Sequence, residues 1–209
     1  MLKLTQSLLL ITLLFSACNN NRQSSEVKEE ATVEIQLLND TLLAMSDRGL
    51  TLTNGTSEML PFVNDSTAIL LIAVRHAEKA AEGDDPVLTP AGQARAARLA
   101  AILKDCPLNG VYTTQFVRTM KTAQPVASTQ QKAIMTYDHK DPEFVPRLLQ
   151  KQQGKRLLIV GHSNSIPALV NQVLGEQRFE EIDEQDYGNI FIIGVSNKGQ
   201  SVKVIRARF

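Results

Sequence analysis

The feature that most constrains this chain is a run of aliphatic residues that stops on two large polar ones. Residues 68–74, AILLIAV, are uninterrupted apolar sequence of strand length, and Arg75 and His76 follow at once. Such a run fits a strand buried on both faces, as in a sheet covered by helices. The pattern returns at residues 156–160, RLLIV, followed by Gly161 and His162. Around these runs lie helix signals. LTPAGQARAARLAAILKD offers Thr89 as an N-cap and Pro90 at the first helical position. GVYTT reads as a short strand, and residues 115–130 as a second helical stretch broken at Pro125. AIMTY reads as a strand, DPEFVPRLLQKQ as a helix, and Ser165 and Pro167 start a helix that stops at Gly175. The tail, NIFIIGV then NKGQ then SVKVIRARF, reads as a hairpin from its turn residues and alternation. Strands alternating with helices predict a three-layer α/β sandwich with a mostly parallel central sheet and helices on both faces. The C-terminal antiparallel hairpin is expected at one edge.

The N-terminal third is organised differently. Residues 1–18, MLKLTQSLLLITLLFSAC, carry Lys3, an apolar stretch from Leu8 to Phe15 and small residues before Cys18. That is the layout of a secretory signal, too short for a spanning helix. FSAC resembles a bacterial lipobox, which implies cleavage before Cys18, its lipidation, and a lipid-anchored place at the bacterial cell envelope. Residues 19–30 are polar and read as a flexible tether. Residues 31–65 show partial alternation and a TNG turn, and read as a small strand-rich lead-in to one domain over residues 66–209. With Cys18 lipidated, Cys106 is left without a partner for an internal bridge and reads as a half-buried bystander. The 22 basic and 22 acidic residues balance, with no basic run, which argues against nucleic acid and acidic lipid surfaces as partners.

Function is legible where the strands end. In open α/β sheets, ligands bind beyond the carboxyl ends of the strands. His76 and His162, two of three histidines, stand at such ends, the first beside Arg75. VYTTQFVRTMKTA places Arg118 one helical turn past a third. Two Arg and two His in one pocket require an anion, since like charges in low dielectric repel strongly. A phosphoryl group suits guanidinium forks, which grip its oxygens bidentately. The guanidinium pair would also keep His76 neutral, the state required of a nitrogen nucleophile.

VRHAEK, LTPAGQARA, TQFVRTMKTA and VGHS occur in that order, each at a junction of strand and helix. Together they resemble the histidine phosphatase superfamily, also called phosphoglycerate mutase-like, from about Ser66 onward. The resemblance implies that His76 takes the phosphoryl group as a phosphohistidine, and that Arg75, Arg118 and His162 complete the phosphate pocket. It implies no metal or other cofactor, since side chains supply the positive charge. The family's general acid stands between the second-helix Arg and the second His, here in YDHKDPE, so Asp138 is the first choice, with Asp141 and Glu143 behind it. Lys79 is placed to steer phosphate, whereas Glu78 reads as a solvated loop residue and His139 as exposed and uninvolved. Ser163 and Ser165 read as turn and cap residues. The tail KVIRARF reads as an edge strand guarded by charge.

The interval from Arg118 to His162 must hold a helix, a strand and another helix, which leaves no room for a large lid. An open pocket favours hydrolysis over mutase transfer. The expected activity is metal-independent hydrolysis of a phosphomonoester or phosphohistidine, with a phosphorylated small molecule or phosphoprotein as partner. The alternative is a non-catalytic envelope lipoprotein that binds a phosphorylated ligand.

Overall fold

The computed structural model describes residues 32–196 and 200–209. The signal segment, the tether, Cys18 and most of the NKGQ turn lie outside the described residues. The strands are β1 (Val33–Met45), β2 (Gly49–Leu52), β3 (Ser57–Met59), β4 (Ile69–Arg75), β5 (Gly110–Thr113), β6 (Ile134–Thr136), β7 (Arg156–Gly161), β8 (Asn189–Ser196) and β9 (Ser201–Arg208). The helices are α1 (Pro90–Leu103), α2 (Val117–Thr129), α3 (Phe144–Lys151) and α4 (Ser165–Leu174). The strands form one sheet in the order β3-β2-β1-β9-β8-β4-β7-β5-β6.

Helices cover both faces, and the reason is the two-residue period of the strands. From β4, Ile72 and Val74 join Leu99, Leu103, Ala123 and Val126 of α1 and α2 in one apolar layer. Leu71 and Ala73 point the other way, into a layer with Val145 and Leu148 of α3 and Ile166 and Val170 of α4. All seven residues of β4 are buried, as a strand between two helical layers must be.

The sheet is mixed, not mostly parallel as the order of elements predicts. β4–β7, β7–β5, β5–β6 and β1–β9 pair in parallel, whereas β1–β2, β2–β3, β4–β8 and β8–β9 pair antiparallel. The C-terminal hairpin is also not at an edge: β8 runs antiparallel along β4, and β9 pairs on its far side with β1. Every residue of β8 is buried, so its apolar run reports a place inside the sheet. Residues of the lead-in share this sheet, with Val33 opposite Val202 and Leu37 opposite Arg206.

Local signals behave unevenly. Thr89 caps α1, its side chain accepting from Gly92 N at 3.1 Å, and Pro90 opens the helix. Pro125 does not break α2, which runs on to Thr129. The helix packs Val126 and Ala127 into the core on the far side of the proline, and this burial holds the last turn together.

Candidate active site

The parallel pairing of β4 with β7 builds the centre of the site. Arg75 lies opposite Gly161 in register, and the His76 backbone N–H donates to the Gly161 carbonyl at 2.9 Å. The two strands therefore end together, and the rings of His76 and His162 meet edge to face, 5.5 Å between centroids. A side chain at position 161 would have no room. A Cβ there would come within 2.7 Å of Ser165 Oγ and 2.9 Å of both Ile166 Cδ1 and Tyr137 Oη. β5 flanks β7 on the other side and delivers Thr114, whose hydroxyl lies 3.0 Å from His162 Nε2. The first turn of α2 then supplies Arg118.

His76 is 3 % exposed, and its Nδ1 lies 2.8 Å from the Ala77 carbonyl. A carbonyl only accepts, so Nδ1 carries the proton and Nε2 keeps a lone pair. Burial first, and then the charges of Arg75, Arg118 and Lys79, hold the ring down at about pKa 4. The Ala77 carbonyl works the other way, more strongly than any one of those charges, and burial still prevails. Desolvation, more than the guanidinium pair expected from sequence, keeps His76 neutral. His162 is held at about 3 by burial and then by Arg118, His76, His139 and Arg75. Both rings are thus neutral near pH 7.

Arg75 is 1 % exposed and is gripped from a turn the sequence reading passed over. Its Nη1 donates to the carbonyls of Asp183 (2.8 Å) and Asp186 (3.2 Å), and its Nη2 to Glu184 Oε2 (2.7 Å). Tyr187 lies under the guanidinium, 4.2 Å from Cζ to the ring centroid. Glu184 also accepts from Ser163 Oγ, and this bond, then Arg75, keeps its carboxyl below the usual range. Ser163 is thus tied into the site through Glu184. Ser165 Oγ accepts from the His162 N–H at 2.9 Å, a turn-capping part.

Arg118 is mostly buried, its guanidinium over Phe116 at 4.3 Å and its Nη1 3.3 Å from Asp85 Oδ1. The Asp85 carboxylate also accepts from the Val117 N–H at the start of α2. The Nε atoms of Arg75 and Arg118 are both buried with no hydrogen-bond partner among the described residues. A buried donor left unpaired costs about 1–3 kcal/mol, and an oxyanion is a group suited to relieve a guanidinium donor.

The remaining residues singled out from sequence fall into two groups. Lys79 lies close enough to His76 for its charge to act on the ring. Glu78 is not a solvated loop residue: Arg95 holds it with Nε and Nη2 at 2.8–3.0 Å. Burial works to raise its pKa, but the Arg95 bonds prevail and lower it. Asp138 lies on the rim with a 69 % exposed side chain, its Oδ1 accepting from the Lys140 N–H within its own turn. Asp141 is paired with Arg147, which holds its pKa down, and Glu143 is exposed at the start of α3. His139, read from sequence as exposed and uninvolved, is instead 22 % exposed in its side chain, with its ring 5.3 Å from that of His162. A loop side chain turned inward leaves no periodic trace in sequence, and neither does the Glu184 turn. Cys106 is fully buried rather than half-buried, its thiol pushed up to about 11 chiefly by burial.

A family model described as "Histidine phosphatase superfamily (branch 1)" matches residues 71–141, which include Arg75, His76 and Arg118. The fold is similar to that of solved histidine phosphatases. One is a mycobacterial glucosyl-3-phosphoglycerate phosphatase, Rv2419c, with a TM-score of 0.55 and 11% identity over 68% of this chain and 98% of that one. Another is the protein histidine phosphatase SixA complexed with tungstate, with a TM-score of 0.56 and 15% identity over 66% of this chain and 96% of that one. No curated protein matches the sequence.

Proposed function

We propose, from the match to the histidine phosphatase model and the fold shared with those enzymes, that this protein is a metal-independent phosphatase acting through a phosphohistidine on His76. The supporting observation is the state of the pocket: a neutral His76 with its Nε2 lone pair free, beside two buried guanidinium Nε–H donors without partners. Nε2 attacks phosphorus in line with the leaving oxygen. Arg75, Arg118 and His162 face the non-bridging oxygens, and the fixed donors stabilise charge as it redistributes. Lys79 adds positive potential that draws the dianion in. Water then attacks phosphorus and frees His76. The substrate class is a phosphorylated small molecule, such as a phosphomonoester, or a phosphoprotein carrying phosphohistidine.

The test is rapid-quench turnover of an aryl phosphate by a fragment starting near Glu30, with an alkaline quench that preserves phosphohistidine and His76→Ala alongside. An acid-labile phosphoenzyme in wild type that vanishes, with turnover, in the variant supports the reading. A wild type that neither turns over nor labels, yet binds vanadate, replaces it with a phosphoryl-binding protein.

The export reading is also proposed. Residues 1–18 act as a lipoprotein signal, Cys18 carries lipid at the bacterial envelope, residues 19–30 tether, and residues 31–65, which add β1–β3 to the same sheet, precede the catalytic region over 66–209. Among the described residues no helix is long and apolar enough to cross a membrane. Cys18→Ser releasing the protein from the membrane fraction supports the anchor; unchanged fractionation removes it.

A further inference from the structure

The next step rests on the phosphatase reading and concerns the proton that the leaving oxygen needs. Attack by His76 expels an alkoxide unless a donor meets it, and such a donor is worth about 10²–10⁴-fold. In-line transfer puts the donor across the phosphoryl group from the nucleophile. It must therefore stand beyond the phosphate from His76, not against it.

The carboxylates around the site are occupied elsewhere. Glu184 is bonded to Arg75 and Ser163, Glu78 to Arg95, Asp85 to Arg118 and the Val117 N–H, and Asp141 to Arg147. Asp138 directs Oδ1 to the Lys140 N–H and is mostly in solvent. His139 is placed differently. Its ring contacts that of His162 at 5.3 Å, and His162 in turn contacts His76 at 5.5 Å, so His162 links His139 to the nucleophile. His139 also lines, together with Asp138, Thr114, Phe116 and Tyr137, a hollow of about 380 Å³ that offers a space for the leaving group. Its Nδ1 lies 4.0 Å from Asp138 Oδ1.

We infer that His139 is the general acid and base of this site, with Asp138 acting through it. In the first step His76 Nε2 forms the N–P bond as the P–O bond breaks. The P–O electron pair goes to the leaving oxygen, which takes the His139 proton. In the second, neutral His139 takes a proton from the attacking water, the new P–O bond forms, and the N–P pair returns to His76. His139 ends protonated, ready for the next cycle.

The experiment measures kcat/KM for a series of phosphate monoesters, from nitrophenyl to alkyl, in wild type, His139→Gln and Asp138→Asn, with vanadate affinity as a check on the pocket. The expected result is a His139→Gln deficit that grows as the leaving group becomes more basic, reaching about 100-fold or more on alkyl phosphate, with vanadate still bound. Asp138→Asn shows the same trend more weakly. A deficit equal across the series, or none, overturns the assignment, and so does loss of vanadate binding by His139→Gln when Asp138→Asn shows no trend. A trend in Asp138→Asn without one in His139→Gln makes Asp138 the acid and overturns it too. Absence of a phosphoenzyme in wild type is a separate outcome, which removes the parent reading and this inference with it.

Discussion

Glu184 reaches Arg75 at 2.7 Å across 109 residues of sequence. Arg75 is 1 % exposed and Glu184 is 68 % exposed in its side chain, so a buried cation leans on a carboxylate at the surface. Glu184→Ala takes away the nearest counter-charge of a buried guanidinium. The expected loss is about 1–2 kcal/mol in the ligand-free protein, below that of a fully buried pair because water reaches Glu184. An oxyanion in the pocket supplies the missing charge, so vanadate should raise Tm more in Glu184→Ala than in wild type. Thermal melts with and without vanadate test this, and an equal rise in both means that Glu184 does not balance Arg75.

Arg118 brings one of the two buried guanidinium Nε donors that have no partner among the described residues. Arg118→Ala should reduce kcat/KM by about 10²–10³-fold, the usual effect of removing one donor aimed at transition-state charge. Arg118→Lys should recover little of this, because a lysine ammonium cannot reproduce a planar fork over Phe116. Steady-state kinetics on an aryl phosphate reads both, and near-normal activity in the lysine variant would mean that charge alone is enough.

The buried histidines set an acid limit on stability. The unfolded chain protonates them near the ordinary value of 6.5, the folded one only near 4 for His76 and 3 for His162. Between these values the unfolded state binds more protons, so stability rises with pH there. The neutral sites therefore favour folding fully above about pH 6.5, and that advantage is lost as pH falls through the window to about 3–4. Urea melts at pH 8, 6 and 5 should show His162→Gln losing less stability on acidification than wild type. Parallel losses would place the acid sensitivity elsewhere.

Gly92 lets α1 approach the loop that carries the site. A Cβ at this position would lie 2.2 Å from the Glu78 carbonyl oxygen, so Gly92→Ala must push either helix or loop aside. The expected cost is about 1–3 kcal/mol, as for overpacking in a core. Activity should fall further than stability alone accounts for, because Glu78 is two residues from His76. Comparing kcat with the urea midpoint separates the two effects.

The fold and part of the site are readable from local pattern. Two apolar runs ending in Arg75–His76 and Gly161–His162 located the centre, because a strand buried on both faces leaves a continuous signature. Pairing partners are not written locally. NIFIIGV states that β8 is buried, but not that it lies between β4 and β9, so the hairpin was expected at an edge and the sheet as mostly parallel. Glu184 and Tyr187 sit in a polar turn without periodicity, and only the folded chain brings that turn to Arg75. The inward turn of His139 is hidden for the same reason. An irregular loop does not reveal which way a side chain turns, whereas Asp138, its neighbour, was chosen by position.

The place of the C-terminal hairpin also fixes the order in which the molecule can be completed. β1 is made long before β9, yet they are neighbours, with Val33 opposite Val202. Until β9 is made β1 has no parallel partner, and until β8 is made β4 lacks its antiparallel neighbour on that side. Contacts of such long sequence separation form slowly, because loop closure must precede them. The sheet closes only once β8 and β9 are both made, and a chain shortened before Asn189 would leave β4 with an open edge through the middle of the sheet.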